Sequence, residues 1–214
     1  MKSAATLSRS TTFILAATAV WLAGCASAPP RAERYVPPAL GTSWTYQLSN
    51  SGSFGNYQGP TTLRMAEGQW QGRKLLRYDT DSGATLQDGN VGTVVVLNRA
   101  GDPVMAYDPP LTFVFPLEVG KTWTHQHTLT LWPGPQRVPM TSTWTVEAYE
   151  DVTVPAGTFK AWRVVMTDNF GYRSVTWSVP ETMGVFAKRI NERGATHPQG
   201  GAGRQVFELT RKPG

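Results

Sequence analysis

The chain predicts an all-β fold: an antiparallel, strongly curved sheet, barrel or sandwich that follows a signal peptide and a short tether. Three observations carry this. Apolar and polar residues alternate with a period of two along much of the chain, and helical periodicity is hard to find. Clusters of Gly, Pro, Asn and Asp separate the alternating runs at short intervals. The 214 residues hold a single cysteine, Cys25, so no internal disulfide framework is available and the core alone must hold the fold.

The alternation is clearest in "WTHQHTLTL", 123 to 131. Trp123, His125, His127, Leu129 and Leu131 share one face, and Thr124, Gln126, Thr128 and Thr130 the other. In "SWTYQL", Trp44, Tyr46 and Leu48 face one way. In "RSVTWSV", Val175, Trp177 and Val179 are expected to form the apolar, inward face. Phe207 and Leu209 do the same in "QVFELTR". Such runs fit half-buried antiparallel strands with one wet face. Between them stand "NSGSFGN", "QDGN", "RAGDP", "YDPP", "PGPQ", "PAGT" and "DNFGY", whose residues supply the backbone angles of tight turns. Pro116 lacks the N–H that a central strand needs, so it is expected at an edge or a strand end.

The front of the chain has a different character. Lys2 and Arg9 supply positive charge, and no acid appears before Glu33. The apolar stretch "TTFILAATAVW", 11 to 21, follows, and small residues lead to Cys25. Positive head, short apolar middle and small-residue cleavage site are the parts of a secretory signal peptide. The stretch is shorter than the roughly 20 residues that a membrane-spanning helix needs.

Leu22, Ala23, Gly24 and Cys25 resemble, position by position, the lipobox of bacterial lipoproteins. The resemblance implies that the Cys25 sulfur receives a diacylglycerol, that the peptide is cut before it, and that the new amino group is acylated. The residue types suit that chemistry. A thiolate is the natural nucleophile among side chains, and several acyl chains on one residue anchor firmly where one is marginal. A free thiol in an ordinary signal peptide is the alternative, and the agreement of head, core and lipobox disfavours it. Ala26 stands where an aspartate resembles an inner-membrane retention signal. In a Gram-negative host the resemblance therefore implies the outer membrane, with the chain on its periplasmic face.

Three segments follow: a signal peptide over 1–24, an acylated cysteine with a Pro-rich tether over 25–38, and one β-rich domain over 39–214. "ASAPPRAERYVPP" has the proline pairs and small residues of a semi-rigid spacer. Net charge is +5, and without Lys2 and Arg9 it is 5 − 2 = +3. That mild excess, with no basic block beyond "AKRINER", gives no nucleic-acid signature. Weak attraction to anionic lipid headgroups is compatible with it.

An internal echo links "LGTSWTYQLS" with "VGKTWTHQHT". Gly41 matches Gly120, Trp44 matches Trp123, Thr45 matches Thr124 and Gln47 matches Gln126. Two related halves of one sheet and a recurring way to start a strand explain it equally well.

Catalytic motifs are scarce. "VGKT" lacks the first glycine of a phosphate loop, since position 115 is Phe115. No Gly-x-Ser-x-Gly elbow is present. His125 and His127 share a strand face, which suits a metal geometrically, but their neighbours favour core or cavity-lining roles over a metal pair. His197 sits in the Gly-rich stretch "ERGATHPQGGAG" without an evident partner in sequence. No catalytic residue, metal ligand or cofactor is expected, and the chain is expected not to be an enzyme. The aromatic residues, which include Trp44, Trp70, Trp144 and Trp162, suit core packing first. Their second reading is an aromatic-lined cavity for an apolar ligand or a glycan. Trp123, His125 and His127 are the candidate ligand-binding residues.

"EDVTVPAGTFKAWRVVM" and "TWSVPETMGVFAKR" resemble an element of poorly characterised bacterial envelope proteins. In that element a strand meets a Val-Pro-Ala-Gly-Thr-Phe turn and a second strand, then Trp-x-x-Pro and a Gly-hydrophobic strand. "GTSWTY" resembles the strand that opens such domains. The resemblance implies an antiparallel β fold in the cell envelope, and it transfers no catalytic residue. The leading expectation is a membrane-anchored lipoprotein that binds an apolar or amphipathic ligand, such as a lipid or a glycan, or makes a structural contact. A protein-interaction module of an envelope assembly and a hydrolase acting on an envelope polymer are the alternatives.

Overall fold

The computed structural model describes residues 30–180 and 183–212. Cys25 and the signal segment lie outside the described residues. The strands are β1 (Ser43–Gly52), β2 (Tyr57–Trp70), β3 (Arg73–Thr80), β4 (Gly83–Gln87), β5 (Thr93–Asn98) and β6 (Pro103–Leu111). They continue with β7 (Thr122–Leu131), β8 (Gln136–Val154), β9 (Gly157–Asp168), β10 (Tyr172–Val179), β11 (Val185–Arg193) and β12 (Gly203–Arg211). Each pairs antiparallel with the next, and β1 pairs with β12 to close a barrel. The all-β expectation holds, and of its variants the closed barrel is the one adopted. Closure leaves no unpaired sheet edge among the described residues.

The two ends of the barrel differ. The base carries the start of β1 and the β6–β7, β8–β9 and β10–β11 connections. The mouth carries the β1–β2, β9–β10 and β11–β12 connections.

The echo marks a structural repeat. Gly41 and Gly120 both adopt positive φ, at 86° and 88°. Gly41 N donates to Met65 O at 2.8 Å, and Gly120 N donates to Val146 O at 2.8 Å. Thr42 and Lys121 each close the same short turn, to Ala39 O and Glu118 O at 3.1 Å. The same hydrogen-bonded turn therefore launches β1 and β7, the first strands of two successive six-strand halves.

Residues 32–36, which composition assigns to the tether, pack onto the base. Ala32 and Leu117 exchange backbone hydrogen bonds at 3.0 and 2.8 Å, and Val36 N donates to Pro180 O at 3.0 Å. Ala32 and Tyr35 are buried, and the Tyr35 hydroxyl bonds that of Tyr78. Gly184 makes room for this segment. A Cβ there would lie 2.7 Å from Pro38 Cδ and 2.8 Å from Val36 O. Pro116 lies in the β6–β7 connection, outside any strand, as expected.

One expectation about faces is reversed. Ser174, Thr176 and Ser178 of β10 point into the barrel, and Val175, Trp177 and Val179 point out. The outer row explains why. Trp177 lies between Arg163 and Lys188 in register, and Lys188 opposes Glu208. Trp177 Nε1 donates to Glu150 at 2.9 Å, Lys188 pairs with Glu208 at 2.7 Å, and Arg163 pairs with Glu147 at 3.1 Å. The tryptophan ring is the apolar bed of a charged row. A membrane-crossing barrel would carry an apolar band on this face.

Core packing is concentrated at the base and in the walls. Trp44, Tyr46, Met65, Phe186 and Leu209 anchor one cluster. Phe113, Trp144, Trp162 and Val164 anchor a second, beneath Ala32 and Leu117. A third, with Leu86 and Val95, lies in β3–β5. All the ladders and clusters lie within residues 30–212, so residues 26–214 retain every one of them.

Candidate functional site: the barrel lumen

The strands that fill the base leave the upper lumen open as a cavity of about 530 Å³. Its volume falls in the range of about 300–1,000 Å³ typical of small-molecule sites. Its two walls differ in chemistry. Val96, Val104, Leu111, Leu129, Met140 and Met166, from β5–β9, form an apolar wall. Ser174, Thr176, Arg189, Asn191 and Gln205, from β10–β12, form a polar wall opposite. The pleat creates this division. On β10 the inward positions are hydroxyl residues, and on β7–β9 they are Leu129, Met140, Trp144 and Met166, with Asp168 at the mouth end.

The polar wall is internally bonded. Ser174 Oγ donates to Asn191 Oδ1 at 2.8 Å, and Asn191 Nδ2 donates to Gln205 Oε1 at 2.9 Å. Arg189 lies midway along β11, its guanidinium 4.0 Å from the centre of the Phe186 ring. Its Nε donates to Thr176 Oγ1 at 3.2 Å. Burial lowers its pKa, and nearby Tyr172, Tyr46 and Tyr78 act against that. An arginine remains protonated under such shifts. Burial likewise raises the hydroxyl pKa of Tyr35, Tyr46, Tyr78, Tyr107 and Tyr172, so these groups stay neutral.

The mouth is narrowed by its loops. Arg193 donates to Ser53 O at 3.1 Å and to Gln199 Oε1 at 2.8 Å, and it stacks on Phe54 at 3.9 Å. Gln199 Nε2 in turn reaches Met105 Sδ, on the far wall, at 3.6 Å. The β11–β12 connection therefore crosses the opening. Asp168 faces the cavity here, and its Oδ1 accepts from Phe170 N and Tyr172 N at 2.8 and 2.9 Å. Beside it, burial and then the Arg193 charge lower the His197 pKa.

The residues singled out from sequence occupy a different place. Trp123, His125 and His127 share one face as expected, but they belong to the packed wall under the β6–β7 connection and do not line the cavity. Trp123 stacks on Trp144 at 5.7 Å, with planes 6° apart. Trp123 Nε1 and His125 Nδ1 are buried without a partner among the described residues.

His127 is held in a continuous network. Its Nδ1 lies 2.7 Å from Pro109 O, a pure acceptor, so Nδ1 carries the proton. Nε2 then accepts from Ser142 Oγ at 2.8 Å, and that oxygen accepts from Trp144 Nε1 at 3.1 Å. This arrangement satisfies a neutral imidazole completely. Burial lowers its pKa, the Pro109 carbonyl raises it in part, and His125 lowers it further.

The sign of the pH effect follows. As pH falls, the unfolded chain binds the proton before the folded one does, so stability decreases as pH falls through the ordinary histidine range. The urea midpoint should drop between about pH 7 and pH 5.5, the interval in which unfolded histidines titrate. His127→Gln should flatten that drop, leaving the contribution of His197. Ser142→Ala orphans two buried groups and should cost about 1–3 kcal/mol at neutral pH. A flat midpoint in the parent protein would contradict a neutral, buried His127.

Fold and site together define a closed, twelve-stranded, next-neighbour β-barrel with an amphipathic lumen. No protein-family model matches the chain, and no curated protein matches it. Among solved structures it is similar to the crystal structure of the hypothetical lipoprotein YmcC from Escherichia coli (K12). The two share 12% identity over 83% of this chain and 90% of that one, with a TM-score of 0.36.

Proposed function

We propose that the chain is an acylated lipoprotein of the bacterial outer membrane, facing the periplasm, whose barrel binds an apolar or amphipathic ligand without catalysing a reaction. The observation that carries the binding role is the lumen, about 530 Å³ with one apolar and one polar wall. A packed structural barrel would fill that volume with side chains. The neutral tyrosines and the carboxylate engaged at the β9–β10 turn support a holding role over a chemical one. The anchor rests on Leu22, Ala23, Gly24 and Cys25, and the charged outer face suits a barrel that stands beside the membrane rather than in it.

Two experiments test the two parts. Cys25→Ser in the full chain should leave the protein unlipidated and release it from membranes. A mutant that remains membrane-bound and acylated contradicts the anchor. Residues 26–214 should bind dodecanol saturably and one to one, read as a change in tryptophan fluorescence, because Trp144 lines the cavity. The absence of saturable binding contradicts the lumen role.

A further inference from the structure

We infer that the lumen takes an anionic amphiphile, a fatty-acid carboxylate or an alkyl phosphate, with its headgroup on Arg189 and its chain along the β5–β9 wall. This deepens, and rests on, the reading of the lumen as a binding site.

Among the described residues that line the cavity, Arg189 and Arg193 are cationic and Asp168 is the one carboxylate. Asp168 is already engaged by the backbone N–H groups of the β9–β10 turn. Arg193 is tied to the loops of the mouth through Ser53 and Gln199. Arg189 is different. Among the described residues it has no ion pair, and its Nε alone is hydrogen-bonded. Arg163, Arg173 and Arg204 on the outer face all have a carboxylate within 3.6 Å. Exposed arginines such as Arg64 and Arg73 are also unpaired, but there water solvates the charge and pairing gains little; Arg189 lines the lumen without a counter-charge among the described residues. An enclosed, unpaired cation is costly, and a bound anion offsets that cost.

Geometry selects the shape of the anion. Thr176 and the Phe186 ring hold the guanidinium by Nε and by one face. This fixes the fork so that the Nη groups remain for a carboxylate or phosphate, which a guanidinium binds in bidentate fashion. Across the lumen stand Val96, Leu129, Met140 and Met166. A ligand that satisfies both walls has one charged end and an unbranched apolar body. Methionine suits such a wall, because its flexible, polarisable side chain adapts to an alkyl chain.

The test uses residues 26–214 and three probes of equal chain length: dodecanoate, dodecyl phosphate and dodecanol, titrated calorimetrically at neutral pH. Both anions should bind about tenfold or more tightly than the alcohol, the scale of one charged hydrogen-bonded contact. Arg189→Met should erase the preference, so that the anions bind no more tightly than dodecanol. Arg189→Lys, which keeps the charge and threatens the fold less, should narrow it, since lysine lacks the fork. Tighter dodecanoate than dodecyl phosphate assigns a fatty acid, and the reverse order assigns a phosphate headgroup. Equal affinity for alcohol and anions, or a preference unchanged in either folded variant, overturns the assignment to Arg189 and leaves the lumen reading standing. Binding of none of the three overturns the lumen reading, and this inference with it.

Discussion

Trp44→Ala should destabilise the protein by about 3–5 kcal/mol, the usual cost of truncating a buried tryptophan. Trp44 is 1% exposed and sits on β1, beside the strand that closes the barrel. Its ring lies 6.4 Å from that of Tyr78 and within the cluster of Tyr46, Met65 and Leu209. Tyr46, on the same face, donates to Phe186 O at 2.9 Å. A cavity at Trp44 therefore loosens both the base and the seam. Trp123 is its counterpart in the second half and makes an informative comparison. It is half-buried, stacked on Trp144 in the wall, so Trp123→Ala should cost less. Urea unfolding of the two variants, followed by circular dichroism, measures both. Equal losses would contradict the assignment of Trp44 to the core and Trp123 to the wall.

Val96→Trp should abolish dodecanol binding, by tenfold or more, while the unfolding free energy changes by about 1 kcal/mol or less. Overpacking a filled core costs about 1–3 kcal/mol. Val96, however, faces the cavity in register with Thr85 and Met105, which face it too. The indole has open volume to occupy, and it occupies the volume that the alkyl chain needs. Titration of the variant with dodecanol, together with a urea curve, separates the outcomes. Undiminished binding by a folded Val96→Trp protein would move the ligand out of the lumen.

The strand content was legible because half-buried strands write their period into the sequence. β1, β7 and β12 carry their inward faces on Trp44 and Tyr46, on Leu129, and on Phe207 and Leu209, as alternation suggests. The same rule failed at β10, for a physical reason. Alternation assigns the apolar face inward, but here the interior is a polar wall and the exterior carries Trp177 beneath Lys188 and Glu150. A chain that encloses a cavity has two kinds of inside, and hydropathy alone does not distinguish them.

The candidate site was harder to find for the same reason. Trp123, His125 and His127 attract notice because they are chemically distinctive, yet they serve the wall. Arg189 lies in "AKRINER", which in sequence resembles a solvated basic run. One signal was available. With period two, Lys188 and Arg189 must face opposite sides of the sheet, so one of these adjacent cations has to point inward. The burial of Ala32 and Tyr35 was hidden by their proline-rich setting, since their partners Leu117 and Tyr78 are distant in sequence. The echo, by contrast, was visible and has a backbone cause, the shared positive-φ glycine turn at Gly41 and Gly120.

The most direct measurement is a crystal structure of residues 26–214 soaked with ω-bromododecanoate, with the bromine located by its anomalous signal. One bromine per chain is expected inside the barrel, against the Leu129, Met140 and Met166 wall, with the carboxylate on the Arg189 guanidinium. Bromine found only on the outer surface, with the lumen free of ligand density, would contradict that expectation.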